Sequence, residues 1–132
     1  MIPDRFLVPE PLCITSVTTS DGTIRVQVGG EIDIATVIPF AEALAASVAA
    51  RPSAIEVDLA DVPFMDSSGV NALVCAHRSA AAGGCRVRVV RPRPVVDRVL
   101  RTCGLAETLG LSASAERPVR SALGAGMDSA PR

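Results

Sequence analysis

Apolar and polar residues alternate in three short stretches of this chain. Ile24, Val26 and Val28 alternate with Arg25 and Gln27, Ile55, Val57 and Leu59 with Glu56 and Asp58, and Val87 and Val89 with Arg86 and Arg88. A period of two sends successive side chains to opposite faces, so each stretch predicts a strand with one apolar face and one wet face. A fourth run, Leu12 to Val17, precedes the first of these across Asp21-Gly22, a dipeptide suited to a tight hairpin turn. Strands covered on both faces would read as unbroken apolar runs, so helices are expected on one face of the sheet only.

Between the strands the period lengthens to that of a helix. Ile38, Ala41, Ala45 and Val48 fall at helical spacing between about Ala35 and Ala50, with Pro39 tolerated in the first turn. Val70, Leu73, Val74 and His77 form a second stripe that stops at Gly83-Gly84. Val96, Val99, Leu100 and Cys103 form a third, with Pro94 near its start and Gly104 just past its end. A short last strand at Thr108–Leu111 and a weak fourth helix at Ser114–Leu123 complete the pattern. The order β-β-α-β-α-β-α predicts an α/β domain, a mixed sheet of four to five strands with helices packed on one face. The domain is expected over residues 12–123, after an irregular arm with three prolines at 1–11 and before a tail at 124–132.

Composition narrows the function classes. At 132 residues and 48% hydrophobic content the chain can bury a core without disulfides, and with only three Phe and no Trp or Tyr that core must be aliphatic. A formal net charge of −1 gives no electrostatic reason to expect nucleic acid or an acidic membrane as partner. All thirteen basic residues are arginine, which excludes a lysine Schiff base and a P-loop lysine. Cys13, Cys75, Cys85 and Cys103 contain no C-x-x-C pair, so each is expected to be a small buried hydrophobe in a reducing compartment. Residues 1–6 hold no signal-peptide apolar region, and no apolar run is long enough to span a bilayer; the expectation is a soluble, cytoplasmic protein.

Catalytic chemistry finds little support. The single histidine, His77, lies ten residues after Ser67 on the same expected helix, about 15 Å along its axis, too far to serve as its base. No G-x-S-x-G elbow is present, and His77 continues an apolar stripe, as a residue at the core boundary does. Asp58, Asp61 and Asp66 cluster near the end of the third strand but match no calcium loop, and acids at strand ends are common turn residues. Neither Gly29-Gly30 nor Gly83-Gly84 has the spacing of a phosphate cradle. No catalytic residue, metal or cofactor is therefore expected. What remains is Met65-Asp66-Ser67-Ser68-Gly69, at the change from strand to helix. Asp and Ser are favoured helix caps, and a helix start also tolerates an added phosphate, because its N–H groups lack intrahelical partners.

Asp61-Val62-Pro63-Phe64-Met65-Asp66-Ser67-Ser68-Gly69-Val70 resembles the signature of the STAS domain family, specifically the bacterial anti-sigma factor antagonists. Gly29-Gly30-Glu31-Ile32-Asp33 is similar to the family's Gly-Glu-(Leu/Ile)-Asp segment. Pro94 to Leu100, followed by Cys103-Gly104-Leu105, resembles its third helix. The resemblance spans about residues 12–111 and implies the strand and helix order read above. It implies a non-enzymatic antagonist with Ser67 as phosphoacceptor and Asp33, Asp66, Ser67, Ser68 and Gly69 as the partner-binding set, Gly69 letting the backbone approach the partner closely. It also implies the partners: an anti-sigma factor serine kinase of the histidine-kinase-like ATPase fold, bound by the unmodified protein so that a sigma factor is released, and a PP2C-type phosphatase that reverses the modification. An unphosphorylated STAS scaffold or sensor module in a larger signalling assembly is the alternative. The chain departs from close relatives at Val70-Asn71-Ala72-Leu73, where Asn71 replaces a small residue near the motif.

Overall fold

The structure, a computed structural model, describes residues 11–111. Its elements are β1 (Cys13–Thr18), β2 (Thr23–Gly29), α1 (Val37–Ala49), β3 (Ala54–Asp61), α2 (Ser67–Ala82), β4 (Arg86–Val90) and α3 (Pro94–Thr102). The strands lie in the order β1-β2-β3-β4, β1 antiparallel to β2 and the other pairs parallel. The hairpin turns where expected: Gly22 takes φ +87°, and the Asp21 carboxylate accepts the Thr23 N–H at 3.1 Å. Parallel neighbours cannot be joined by so short a turn, so α1 and α2 carry the crossovers.

The alternation sorts the two faces of the sheet. Val26, Val28, Ile55, Val57, Leu59, Val87 and Val89 form one core with residues of α1, α2 and α3. On the other face Arg25, Glu56 and Arg88 stand in register on three adjacent strands. The Glu56 carboxylate takes Arg25 on Oε1 at 2.7 Å and Arg88 on Oε2 at 2.8 Å.

Several expectations need correction. Thr108–Leu111 is not a strand. The Leu109 N–H donates to the Leu105 carbonyl and the Leu111 N–H to the Ala106 carbonyl, which coils the segment, with Gly110 at φ +65°. It still covers the outer edge of β4, because the Val89 N–H donates to the Leu109 carbonyl at 2.8 Å and the Leu109 side chain is buried. On α1 the buried residues are Phe40, Leu44 and Ser47, whereas Ile38, Ala41 and Ala45 face outward. That helix is apolar on two sides, and the larger side chains, Phe40 and Leu44, take the core. Of the cysteines only Cys85 is buried; Cys13, Cys75 and Cys103 are exposed. The Ser114–Leu123 helix, the 124–132 tail and residues 1–10 of the arm lie outside the described residues.

Candidate functional site

Asp66 is the N-cap of α2. Its backbone is extended, with φ −100° and ψ −170°, and its Oδ1 accepts the Ser68 N–H at 2.8 Å and the Ser68 hydroxyl at 2.5 Å. The Asp66 carbonyl accepts the N–H groups of Gly69 and Val70, which begins the helix. The Ser68 hydroxyl, with the N–H groups of Ser68, Gly69 and Ile34 behind it, holds the Asp66 carboxyl below the usual carboxylate range despite its desolvation. Ser67 is the first residue of α2, exposed, and its hydroxyl makes no hydrogen bond among the described residues. Of the two adjacent serines, one is tied to the cap and the other is free.

The loop before α2 is fastened to the loop before α1. Ile32 and Met65 form an isolated parallel bridge, with the Ile32 N–H donating to the Phe64 carbonyl and the Asp66 N–H to the Ile32 carbonyl, both at 3.0 Å. Both side chains are buried. Asp33 and Asp66 each follow one residue past this bridge, so the two acids expected from sequence do come to one end of the sheet. Asp33 Oδ1 accepts the N–H groups of Ala35 and Thr36 at 2.9 and 3.1 Å, which closes the turn leading into α1.

Gly69 has a different place from the one expected. It is buried, and a Cβ there would lie 2.6 Å from Met65 Cγ and 2.8 Å from Ile32 Cγ2. The close approach it permits is that of α2 to its own chain. Among the acids of the third strand, Asp58 is accounted for by its own partners. Asp58 is buried, where desolvation raises its carboxyl pKa, yet the Arg91 guanidinium at 2.5 Å and the Ala60 N–H more than offset this and hold it low. Arg91 makes that contact from a left-handed backbone, φ +54°. Beside it Arg93 Nε donates to the Ala60 carbonyl at 2.8 Å. Among the described residues no group of three or more His, Cys, Asp or Glu side chains is placed to hold a metal ion, and no helix is long and apolar enough to cross a membrane.

What the sequence reading missed is exposed apolar surface on α1 and on the loops before α1 and α2. Ile34 is 78% exposed, Ile38 66% and Phe64 43%. Ile34 opens onto a cleft of about 350 Å³ between α1 and α2, with Val37 and Ala41 on one wall and Ser68, Asn71 and Cys75 on the other. The signal was present in the chain: two overlapping apolar stripes on α1, only one of which a single core can absorb.

The STAS domain model matches residues 15–118. The anti-sigma-F factor antagonist RsfB of Mycobacterium tuberculosis is 30% identical over 103 residues, covering 78% of this chain and 83% of its own length. The crystal structure of an anti-sigma factor antagonist from Mycobacterium paratuberculosis superposes with a TM-score of 0.68 at 26% identity, over 89% of this chain and 98% of the other. The Bacillus cell fate determinant SpoIIAA in its phosphorylated form shares the fold, with a TM-score of 0.58 at 20% identity over 83% of this chain and 99% of the other. With the Asp-Ser-Ser-Gly turn capping α2 and the sheet order in place, this chain belongs to the STAS domain family, among the bacterial anti-sigma factor antagonists.

Proposed function

We propose that the unmodified protein binds an anti-sigma factor that is also a serine kinase, and that this kinase phosphorylates Ser67 and so ends the complex. A PP2C-type phosphatase removes the phosphate and restores binding. The observation that carries this reading is the difference between the two serines: Ser67 is exposed with a free hydroxyl, while the Ser68 hydroxyl is committed to Asp66. The contact surface comprises Asp33, Asp66, Ser67 and Ser68, extended by the exposed Ile34, Ile38 and Phe64. A phosphate adds bulk and up to about two negative charges beside Asp33 and Asp66, which acts against a partner already docked there without refolding the domain. SpoIIAA, which shares the fold, exists in a phosphorylated form, and this supports the same kind of modification here.

The test is intact-protein mass spectrometry after incubation with ATP and each candidate anti-sigma kinase from the same genome. The wild type and Ser68→Ala should each gain one phosphoryl group, and Ser67→Ala should gain none. Stable binding with no mass gain would remove the phosphoacceptor role and favour a scaffold. Phosphorylation lost in Ser68→Ala but retained in Ser67→Ala would place the modification on the other serine.

A further inference from the structure

The two edges of the sheet differ. The edge at β4 is covered by the chain itself, through the Val89 N–H and the Leu109 carbonyl. The edge at β1 pairs only inward, with β2, among the described residues. Exposed strand edges are usually guarded by a charge, a proline or a bulge, since their free N–H and C=O groups are a template for another strand. Within its own six residues this strand carries no such guard. Cys13-Ile14-Thr15-Ser16-Val17-Thr18 holds neither charge nor proline, its register against β2 runs without a shift, and Val17 is 56% exposed.

The register identifies which groups are free. The Thr19 N–H donates to the Thr23 carbonyl, and hydrogen-bonded pairs alternate along an antiparallel ladder, so Val17, Thr15 and Cys13 also turn their backbone groups toward β2. Ile14, Ser16 and Thr18 turn theirs outward. We propose that β1 is the contact edge of a two-fold dimer, in which β1 of a second copy of this chain adds antiparallel about an axis at Ser16. That register sets Ser16 opposite Ser16 and Ile14 opposite Thr18, so every outward N–H and C=O at the three positions meets its complement. It also sets Thr15 opposite Val17 on the open face, a β-branched pair of the kind that stabilises cross-strand contact. An isologous contact needs a surface that complements itself, and an uncharged edge with its free groups symmetric about one residue meets that condition. The contact is separate from the Ser67 surface, which lies on the loops before α1 and α2 and on the first turns of those helices.

The experiment is sedimentation velocity on the full chain over a wide concentration range, comparing the wild type with Ser16→Lys. The lysine is tolerated on an open edge of a monomer, but across the proposed axis it stands directly opposite its own copy. The wild type should show a reversible monomer–dimer equilibrium, and Ser16→Lys should dissociate at least about ten-fold more readily while melting at the same temperature at dilutions where both are monomeric. Ser16→Cys supplies a second readout: under mild oxidation peptide mapping should find the 16–16 disulfide and no 13–13 disulfide, because the register keeps the two Cys13 residues apart. A wild type that stays monomeric throughout overturns the proposal and leaves the edge to residues 1–10 or to another polypeptide. A dimer that Ser16→Lys does not weaken overturns it equally.

Discussion

Two single residues are held in positions that few side chains accept. Gly69 sits where a methyl group would meet Met65 Cγ and Ile32 Cγ2 well inside contact distance, and both neighbours are fully buried and cannot swing away. Gly69→Ala gains about 1 kcal/mol of helix propensity and loses about 1–3 to overpacking, so a net destabilisation of up to about 2 kcal/mol is expected in urea unfolding. Arg91 is held at φ +54° so that it can reach the buried Asp58. Arg91→Gly and Arg91→Ala both leave that carboxylate without its guanidinium, but only alanine also keeps the left-handed strain, at about 1–2 kcal/mol. Arg91→Ala should therefore be the less stable of the two by about 1 kcal/mol, measured by the shift in urea midpoint.

At the scale of the element, α1 has two apolar faces with different tasks. Leu44 is buried in the core, and Leu44→Ala should cost about 2–5 kcal/mol of stability. Ile38 is equally apolar and packs against almost nothing, so Ile38→Ala should change stability by less than about 0.5 kcal/mol. On the proposed contact surface the order reverses: Ile38→Ala should weaken binding of the anti-sigma kinase in calorimetric titration. The two variants together separate folding from recognition on one helix. They also mark where sequence pattern ran short. β2, β3 and β4 were legible because each alternates apolar with polar or charged residues, and a period of two leaves no doubt about the face. α1 was legible as a helix but not in its orientation, since Ala41, Ala45 and Ile38 make as regular a stripe as Phe40 and Leu44, and only packing volume decides between them. Thr108–Leu111 failed for a related reason. Its single edge hydrogen bond is strand-like, while Gly110 and the coiled hydrogen bonds around it are not.

For the whole molecule, the acid limb of stability follows from three carboxylates held below the ordinary range: Asp21, by the Thr19 hydroxyl and the Thr23 N–H, and Asp58 and Asp66. Asp58, despite desolvation, is held low by Arg91 and the Ala60 N–H, and Asp66 by the Ser68 hydroxyl and the first N–H groups of α2. A depressed folded pKa contributes stability that is present above the ordinary aspartate value and lost as pH falls through the folded value. The urea midpoint should therefore be flat through neutral pH and fall below the ordinary aspartate range, and the fall should be shallower in Arg91→Ala. From sequence Asp58 was visible only in a cluster near the end of β3, whereas Asp66 was also read as a helix cap. That Asp58 turns to Arg91 and Asp66 to Ser68 depends on side chains 33 and 2 residues away meeting in three dimensions. The site itself was legible because its motif is local: cap, serines and helix start are consecutive, while the apolar surface around them also draws on the separate stretch that holds Ile34 and Ile38.

The Ile32–Met65 bridge has a consequence for how such a protein can change over generations. Ile32, Met65 and Gly69 form a buried triad in which each limits the others, so none of them can be replaced alone at low cost. Ile34, Ser67 and Asn71 stand next to that triad in sequence yet project from it, and substitutions there leave its packing untouched. A duplicated copy of this chain can thus acquire a new partner preference through its exposed positions while the buried triad carries the framework forward unaltered. Asn71, exposed on the first turns of α2, stands among those free to vary.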